Sequence, residues 1–342
     1  MRKLLNTLYV TSQDAYLGVD GENITVKKDE KVAMRIPIHN VESIVAFNYV
    51  GASPALMRKC SERGVSINFF QGDRFCGSFV GCENGNVTLR KTQYRFSENE
   101  EESLLIVRNM LLGKVHNQRY VVERARRDYA LRLNGEKLKN ASELLKQSLG
   151  FIKECQSLES LRGYEGEAAT VYFRVFDDLI LQNKDQFHFS GRNKRPPLDN
   201  VNALLSFTYS LLVTECAGAV YSVGLDPYVG FLHRDRPGRQ SLALDLVEEF
   251  RAPIADRFVL TLINKQEINA KGFLKQESGA VLMSDVTRKL VLQKWQEGKN
   301  EVIMHPFLKE KVPMGLLPYI QAMLLARYLR GDLNAYPPFF KR

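Results

Sequence analysis

The chain has 342 residues, an ordinary globular balance of 44% hydrophobic and 25% charged residues, and a formal net charge of +9. That length suits about two soluble domains, and the composition excludes a collagen-like or low-complexity chain. No apolar run is expected to approach the roughly 20 residues that span a bilayer. The apolar stretch after Arg2-Lys3 is broken too soon, by Asn6 and Ser12-Gln13-Asp14, for a signal peptide, so a cytoplasmic protein is expected. The five cysteines are scattered with no C-x-x-C pair, which argues against structural zinc and for free thiols. The basic excess favours a polyanionic partner, since lysine and arginine release counterions from phosphates.

Residues 1–98 read as a β-rich module. Tyr9-Val10 starts a short strand. Asp20-Gly21 stands between Ala15–Val19 and Asn23–Val26, a hairpin signal. Val41–Phe47 and Val65–Phe70 read as strands. Between them Ser53-Pro54 opens a helix to Arg63 that Gly64 ends. Asn84-Gly85 predicts a second hairpin, from Phe75–Val80 into Val87–Arg90. Glu98–Glu102 is a charge run that marks a boundary. From 99 to 342 the chain reads as helical: Leu104, Leu105, Val107, Met110, Leu111 and Leu112 recur at three and four residues. Breaks are expected near 190–197, 224–239 and Gly298–Pro306. The fold class is therefore α+β, a small β-rich module before a larger all-helical catalytic domain.

Three segments carry candidate chemistry. In Leu161–Phe173, Glu165 sits among small and apolar residues. Gly163 and Gly166, each costly inside a helix, suggest close backbone approach or a helix start. A surface glutamate near a helix N-terminus is the alternative. In Gly224–His233 an Asp226-Pro227 turn leads through apolar residues to His233, at the edge of a loop with Arg234, Arg236 and Arg239. A structural histidine is the alternative. In Ser241–Arg251, Ser241 is a plausible N-cap, and Asp245 and Glu248 share a helix face. Like charges at that spacing need a cation between them, either a divalent metal or a side chain such as Arg251 or Arg239. An oxygen and nitrogen donor set suits Mg2+ or Mn2+.

These segments resemble the CRISPR-associated Cas-one (Cas1) family of spacer-acquisition integrases. The family carries Gly-x-Glu-Gly-x-Ala-Ala-x-x-Tyr-Phe, as at Gly163–Phe173. It carries Gly-Leu-Asp-Pro followed by Gly-Phe-Leu-His, as at Gly224–His233. It also carries Ser-Leu-x-x-Asp-Leu-x-Glu-x-Phe-Arg, as at Ser241–Arg251. The resemblance implies that Glu165, His233 and Glu248 are metal ligands and that Asp245 is a neighbouring catalytic acid. It implies an endonuclease and integrase that joins DNA 3′ ends into a CRISPR array by transesterification. A partner-independent nuclease on branched DNA is the alternative. The implied partners are double-stranded DNA (protospacer and leader-repeat), a second copy through the N-terminal module, and Cas-two (Cas2). Chain length and Lys194-Arg195-Pro196-Pro197 look similar to members from type I systems that also use Cas-four (Cas4). Arg234, Arg236, Arg239 and Arg251 are candidate DNA contacts. Arg119, Arg124, Arg126 and Arg127 form a further basic cluster, with a solvated helix face as its alternative.

Overall fold

The computed structural model describes residues 7–12, 14–29, 31–41, 43–47, 51–71, 74–81, 87–193 and 196–342, with Arg74 and Phe75 described in their backbone alone. The chain packs as two compact units. One holds residues up to Asn86 together with Val291–Ile303 and Val312–Leu317; the other holds the remainder.

The first unit opens with strands β1 (Thr7–Val10), β2 (Tyr16–Asp20), β3 (Asn23–Lys28), β4 (Lys31–Pro37), β5 (Ser43–Phe47) and β6 (Gly51–Ala52). Helix α1 (Pro54–Arg63) and strands β7 (Ser66–Gln71) and β8 (Arg74–Phe79) follow. They form two four-stranded sheets, in the orders β1-β5-β7-β8 and β4-β3-β2-β6. The expected hairpin is present. Asp20 pairs with Asn23, so its loop is Gly21-Glu22, one residue later than the Asp20-Gly21 signal. Alternation puts Leu17, Ile24, Ile44 and Ile67 into one core with Leu56 and Cys60 of α1. Helix α1 is bounded as its sequence dictates. The Ser53 hydroxyl accepts from the Leu56 N–H at 3.2 Å, and Gly64 closes the helix at φ 68°. Strand β4 carried no sequence signal, because Val32 and Met34 are exposed on a sheet edge.

Val87–Arg90, expected as a strand, lies in a helix, α2 (Val87–Glu98); Asn84-Gly85 lies outside the described residues. Four residues of alternation cannot separate the two periods, and burial of Leu89 and Gln93 at i and i+4 decides for the helix. This helix packs within the second unit, so that unit begins before the expected boundary at 98. The charge run after α2 is a helix start. Asn99 accepts from the Glu101 and Glu102 N–H groups, and Glu100–Glu102 fill the first turn of α3 (Glu100–Asp128), where the helix dipole favours anions.

Helices α4 (Gly135–Glu154), α5 (Leu158–Arg174), α6 (Asn200–Ser222), α7 (Ser241–Val247) and α8 (Arg257–Asn264) complete the helical body. Two short ribbons are added, β9 (Phe273–Lys275) with β10 (Val281–Met283) and β11 (Val302–Met304) with β12 (Lys311–Pro313). Helices α9 (Asp285–Gly298) and α10 (Leu317–Leu329) flank the second ribbon in sequence. Helix α6 corrects the reading of apolar runs. It is long and apolar enough to cross a bilayer, but 67% of its apolar window is buried against the rest of the protein. Its Leu204, Leu205, Leu211, Leu212 and Val220 face packed neighbours on several sides, as in a core helix. Among the described cysteines, Cys60, Cys155 and Cys216 are free, buried thiols.

The α1 cap gives a direct test. Ser53→Ala should cost about 1 kcal/mol of stability, the typical cost of removing an N-cap oxygen. Denaturant titration followed by far-ultraviolet circular dichroism would read it, and an unchanged midpoint would refute the role.

Candidate active site

The site is assembled from the helical unit, starting at α7. Gln240, not Ser241, occupies the cap position; Ser241 is the buried first helical residue. Asp245, one turn into the helix and fully buried, serves the preceding loop. Its Oδ2 accepts from the N–H groups of Phe231 at 2.6 Å and Leu232 at 3.0 Å. Its Oδ1 accepts from the His233 N–H at 3.0 Å and lies 2.6 Å from His233 Nδ1. Four donors around one fully buried carboxylate place the imidazole proton on Nδ1. The lone pair of Nε2 is left directed away, 4.0 Å from Glu248 Oε1. Asp245 thus orients the histidine and lies behind it.

Gln93 holds the same loop from the other side. Its amide nitrogen donates to the carbonyls of Asp226 at 2.7 Å and Val229 at 2.8 Å, and its oxygen accepts from the Asp226 N–H at 2.9 Å. Gly230 lies between Gln93's partners and Asp245. A Cβ there would fall 2.8 Å from Asp245 Oδ2 and 2.9 Å from the Ser241 backbone carbon, so the loop can approach only without a side chain.

Glu165 lies in the middle of α5. Gly163 and Gly166 are interior helical positions where an added Cβ would meet nothing within 4 Å, so neither a helix start nor close approach explains them. The face they occupy is open, and Glu167 on it is exposed. Glu165 meets Glu248 through Lys114 of α3. The Lys114 ammonium contacts Glu165 Oε1 and lies 2.6 Å from Glu248 Oε2. Arg251 reaches Glu248 Oε1 at 3.0 Å. Burial alone would raise the Glu248 carboxyl, but Arg251 and Lys114 outweigh it and hold it at about 2. Arg251, one of the candidate cations, thus pairs with Glu248 together with Lys114, while the side chain set between Asp245 and Glu248 is His233. Among the described residues no three of His, Cys, Asp and Glu are arranged as metal ligands. Two carboxylates already gathered around one cationic group, beside an imidazole nitrogen with a free lone pair, nevertheless fit the donor chemistry of a divalent ion.

A cavity of about 530 Å3 opens beside this cluster, lined by Lys114, Glu165, Glu248 and Arg251 and further by Arg174 and Arg192. Tyr209 stands in its wall with the guanidinium carbons of Arg192 and Arg251 at 5.2 and 5.1 Å from its ring centre. Its hydroxyl donates to Asp256 at 2.5 Å, and that of Tyr172 donates at 3.0 Å. Burial raises the Asp256 carboxyl to about 6, against those two hydroxyls and Arg251. Arg251 therefore belongs to the cavity wall. Arg234 pairs with Glu159 at 2.9 Å, and Arg236 is exposed on the loop beyond His233. Of the α3 cluster, Arg124 and Arg127 pair with Asp128 and Arg126 with Glu123 of the same helix, and Arg119 donates to the Ser142 hydroxyl of α4 at 3.0 Å. Sequence reasoning missed Lys114, Gln93 and Arg192. Lys114 had a signal, a lysine between Met110, Leu111, Val115 and Gln118 on a buried stripe.

The profile of the family described as "CRISPR associated protein Cas1" matches residues 8–297. "CRISPR-associated endonuclease Cas1 1" of Chlorobaculum tepidum is 47% identical over 343 residues, covering 100% of both chains. A "CRISPR-associated exonuclease Cas4/endonuclease Cas1 fusion" of Geobacter sulfurreducens is 34% identical, and this chain spans 60% of its length. A Cas1 protein from Thermotoga maritima shares the fold at TM-score 0.81 and 25% identity, over 96% of this chain and 97% of that one. So do a casposase bound to integration product (TM-score 0.83, 21% identity, 99% and 95% coverage) and a Cas6-RT-Cas1–Cas2 complex (0.82, 21%, 99% and 36%). A β-rich unit joined to a helical unit that carries this cluster is thus the framework of a nuclease. The chain belongs to the Cas1 family.

Two outcomes follow from the geometry. Gly230→Ala should lower nuclease activity on DNA by about tenfold or more, because either Asp245 or the His233 loop must move; wild-type rates would refute the close approach. For Asp256 the folded carboxyl titrates near 6 and the free one near 3.8. This group's contribution is fully present below 3.8 and is lost as pH rises through about 6, by up to roughly 3 kcal/mol. Asp256→Asn should therefore lose less stability than wild type between pH 4 and pH 7 in parallel urea titrations. Equal losses would show that the carboxyl is not raised.

Proposed function

We propose that this chain is a divalent-metal-dependent DNA endonuclease and integrase that inserts spacers into a CRISPR array by 3′-hydroxyl transesterification. The observation that carries this reading is the convergence of Glu165 and Glu248 on one cationic group, beside a His233 whose Nε2 is left free by Asp245. Glu165, His233 and Glu248 would hold Mg2+ or Mn2+. When bound, the ion supplies positive charge against a scissile phosphate and acidifies an attacking hydroxyl.

The remaining roles fall to the chain's own groups. Asp245 keeps the proton on Nδ1 and so keeps Nε2 available. Lys114 and Arg251 keep Glu248 ionised at any physiological pH. Arg192 and Arg251, in the cavity wall, are placed to offset charge building on phosphoryl oxygens. One phosphodiester forms as another breaks, so the 3′-oxygen displaced takes the proton that the attacking hydroxyl gives up. Arg234, Arg236 and Arg239 would meet the DNA backbone from the loop after His233, a contact indifferent to sequence. We further propose homodimerisation through the first unit, where edge strand β4 leaves Val32 and Met34 uncovered. Cas2 and Cas4 as partners are supported by the Cas1–Cas2 complex that shares the fold and by the fused relative.

The test is strand transfer on a branched DNA, with Mn2+ and then with chelator. Glu165→Ala and His233→Ala should each lose on the order of a hundredfold in rate. Duplex binding should survive, because the basic surface supplies most affinity. Glu167→Ala, on the open face of the same helix, should stay near wild type. A fully active Glu165→Ala beside an inactive Glu167→Ala would overturn the assignment. Adding Cas2 and a leader-repeat duplex separates integration from partner-independent cleavage: no insertion under those conditions favours the nuclease alone.

A further inference from the structure

Glu248 and Glu249 are consecutive, yet their side chains serve opposite sides of one turn. Glu248 meets Lys114 and Arg251. Glu249, wholly buried, meets the C-terminal segment. Its Oε2 accepts from the Phe339 N–H at 2.6 Å and the Gln321 amide at 3.0 Å, and the Tyr336 hydroxyl lies 2.5 Å from its Oε1. The same segment is bonded to α3, the helix that carries Lys114. Asn117 donates to the carbonyls of Glu249 and Phe339, both at 2.8 Å, and accepts from the Lys341 N–H at 2.8 Å. Asn109 donates to the Tyr336 carbonyl at 3.0 Å. At Gly113, the neighbour of Lys114, a Cβ would lie 3.1 Å from Pro338 Cβ and 3.2 Å from Glu249 Cγ. The aromatic rings of Phe339 and Phe250 pack at 5.8 Å.

Residues Tyr336–Lys341 contain no helix or strand, so these bonds are what orders them. Every one of those side-chain partners on the helical body is a polar group buried by the segment or partly so. Buried polar groups cost free energy when unpaired. The segment therefore adds a second tie, beside the direct Asn117–Glu249 bond, between the turn presenting Glu248 and the turn of α3 presenting Lys114.

We propose that the C-terminal segment Tyr336–Lys341 is a positioning element for the active site, setting the separation of Lys114 and Glu248 through Glu249, Asn117 and Gly113. This rests on the reading of Glu165, His233 and Glu248 as the catalytic centre. The segment touches no reacting atom. It acts by registering two charged groups whose misplacement by an ångström would cost on the order of a hundredfold in rate.

Three variants test it on the branched-DNA assay: a chain ending at Ala335, Tyr336→Phe, and Gly113→Ala. The truncated chain should lose about tenfold or more in kcat while KM for DNA stays within about twofold. A synthetic peptide of residues 336–342 added in trans should restore part of the rate. Tyr336→Phe should lose kcat by a smaller factor at unchanged KM, and hydrogen exchange at the Glu248 amide should quicken in parallel. Should the truncated chain not fold, the two point variants decide by the same kcat and KM split. Unchanged kcat in all folded variants overturns the proposal. A parallel loss of kcat, DNA affinity and melting temperature that the peptide does not rescue also overturns it, since that marks general destabilisation. Full-length Glu165→Ala and His233→Ala serve as the control on the underlying reading. If they remain active, that reading has failed; if they are inactive while the truncated chain is fully active, the positioning role alone has failed.

Discussion

A lysine ammonium with about 5% of its side chain exposed, held between two glutamates, sets the demands that the helical unit meets. Removing such an ion from water costs several kcal/mol, and only well-placed opposite charges offset that. Glu248, with about 2% of its side chain exposed, faces the same penalty and is offset by both Lys114 and Arg251, whereas Glu165 keeps 29% of its side chain in solvent. Lys114 is therefore stabilised by both glutamates, and it screens their mutual repulsion. The three groups come from α3, α5 and the turn after α7, so three elements far apart in sequence must arrive in one register. Gln93 and Asp245 together hold the His233 loop beside that cluster, and the C-terminal segment is the element proposed to fix its α3 and Glu248 sides.

The balance of charge is local as well as global. The net +9 suggested a polyanionic partner without saying where it would bind. In the arginine cluster on α3, Arg124, Arg126 and Arg127 spend their charge on Asp128 and Glu123 of their own helix. The cavity wall is different. Arg174, Arg192, Arg251 and Lys114 stand there with Glu165, Glu248 and Asp256, and Asp256 is half neutral near pH 6. Positive charge in that wall therefore exceeds negative charge before any ion or nucleic acid arrives.

Local signals were legible where local chemistry decides the backbone. Ser53 and Gly64 bound α1 because a cap oxygen and a left-handed residue act within four positions. The hairpin at Gly21-Glu22 follows from period-two alternation on both sides. The same rule failed at Val87–Arg90, too short to distinguish periods, and at β4, whose edge position removes the burial that alternation records. At the site, the three motif segments named the acidic and imidazole groups, through a likeness to known proteins more than through spacing. Lys114, Gln93 and Glu249 were not legible as functional groups. Their partners lie 51, 133 and 90 residues away, and nothing in a linear pattern records such a pairing. The two interior glycines of α5 misled for a related reason: sequence shows the missing side chain but not whether anything fills its space.

The first unit is discontinuous in sequence, and this bears on how the chain is made. Strands β1–β8 leave the ribosome early, but Val291–Ile303 and Val312–Leu317, which pack in the same unit, follow only after Val87–Leu290 has been translated. At ~5–20 residues per second that interval is roughly 10 to 40 s. Throughout it the nascent sheets lack two of their own segments, with edge strand β4 already displaying Val32 and Met34. On a polysome, neighbouring nascent chains are at that stage simultaneously and close together. The cell must therefore either shield these strands with a holding chaperone or tolerate their pairing with one another before Val291 and the residues after it exist.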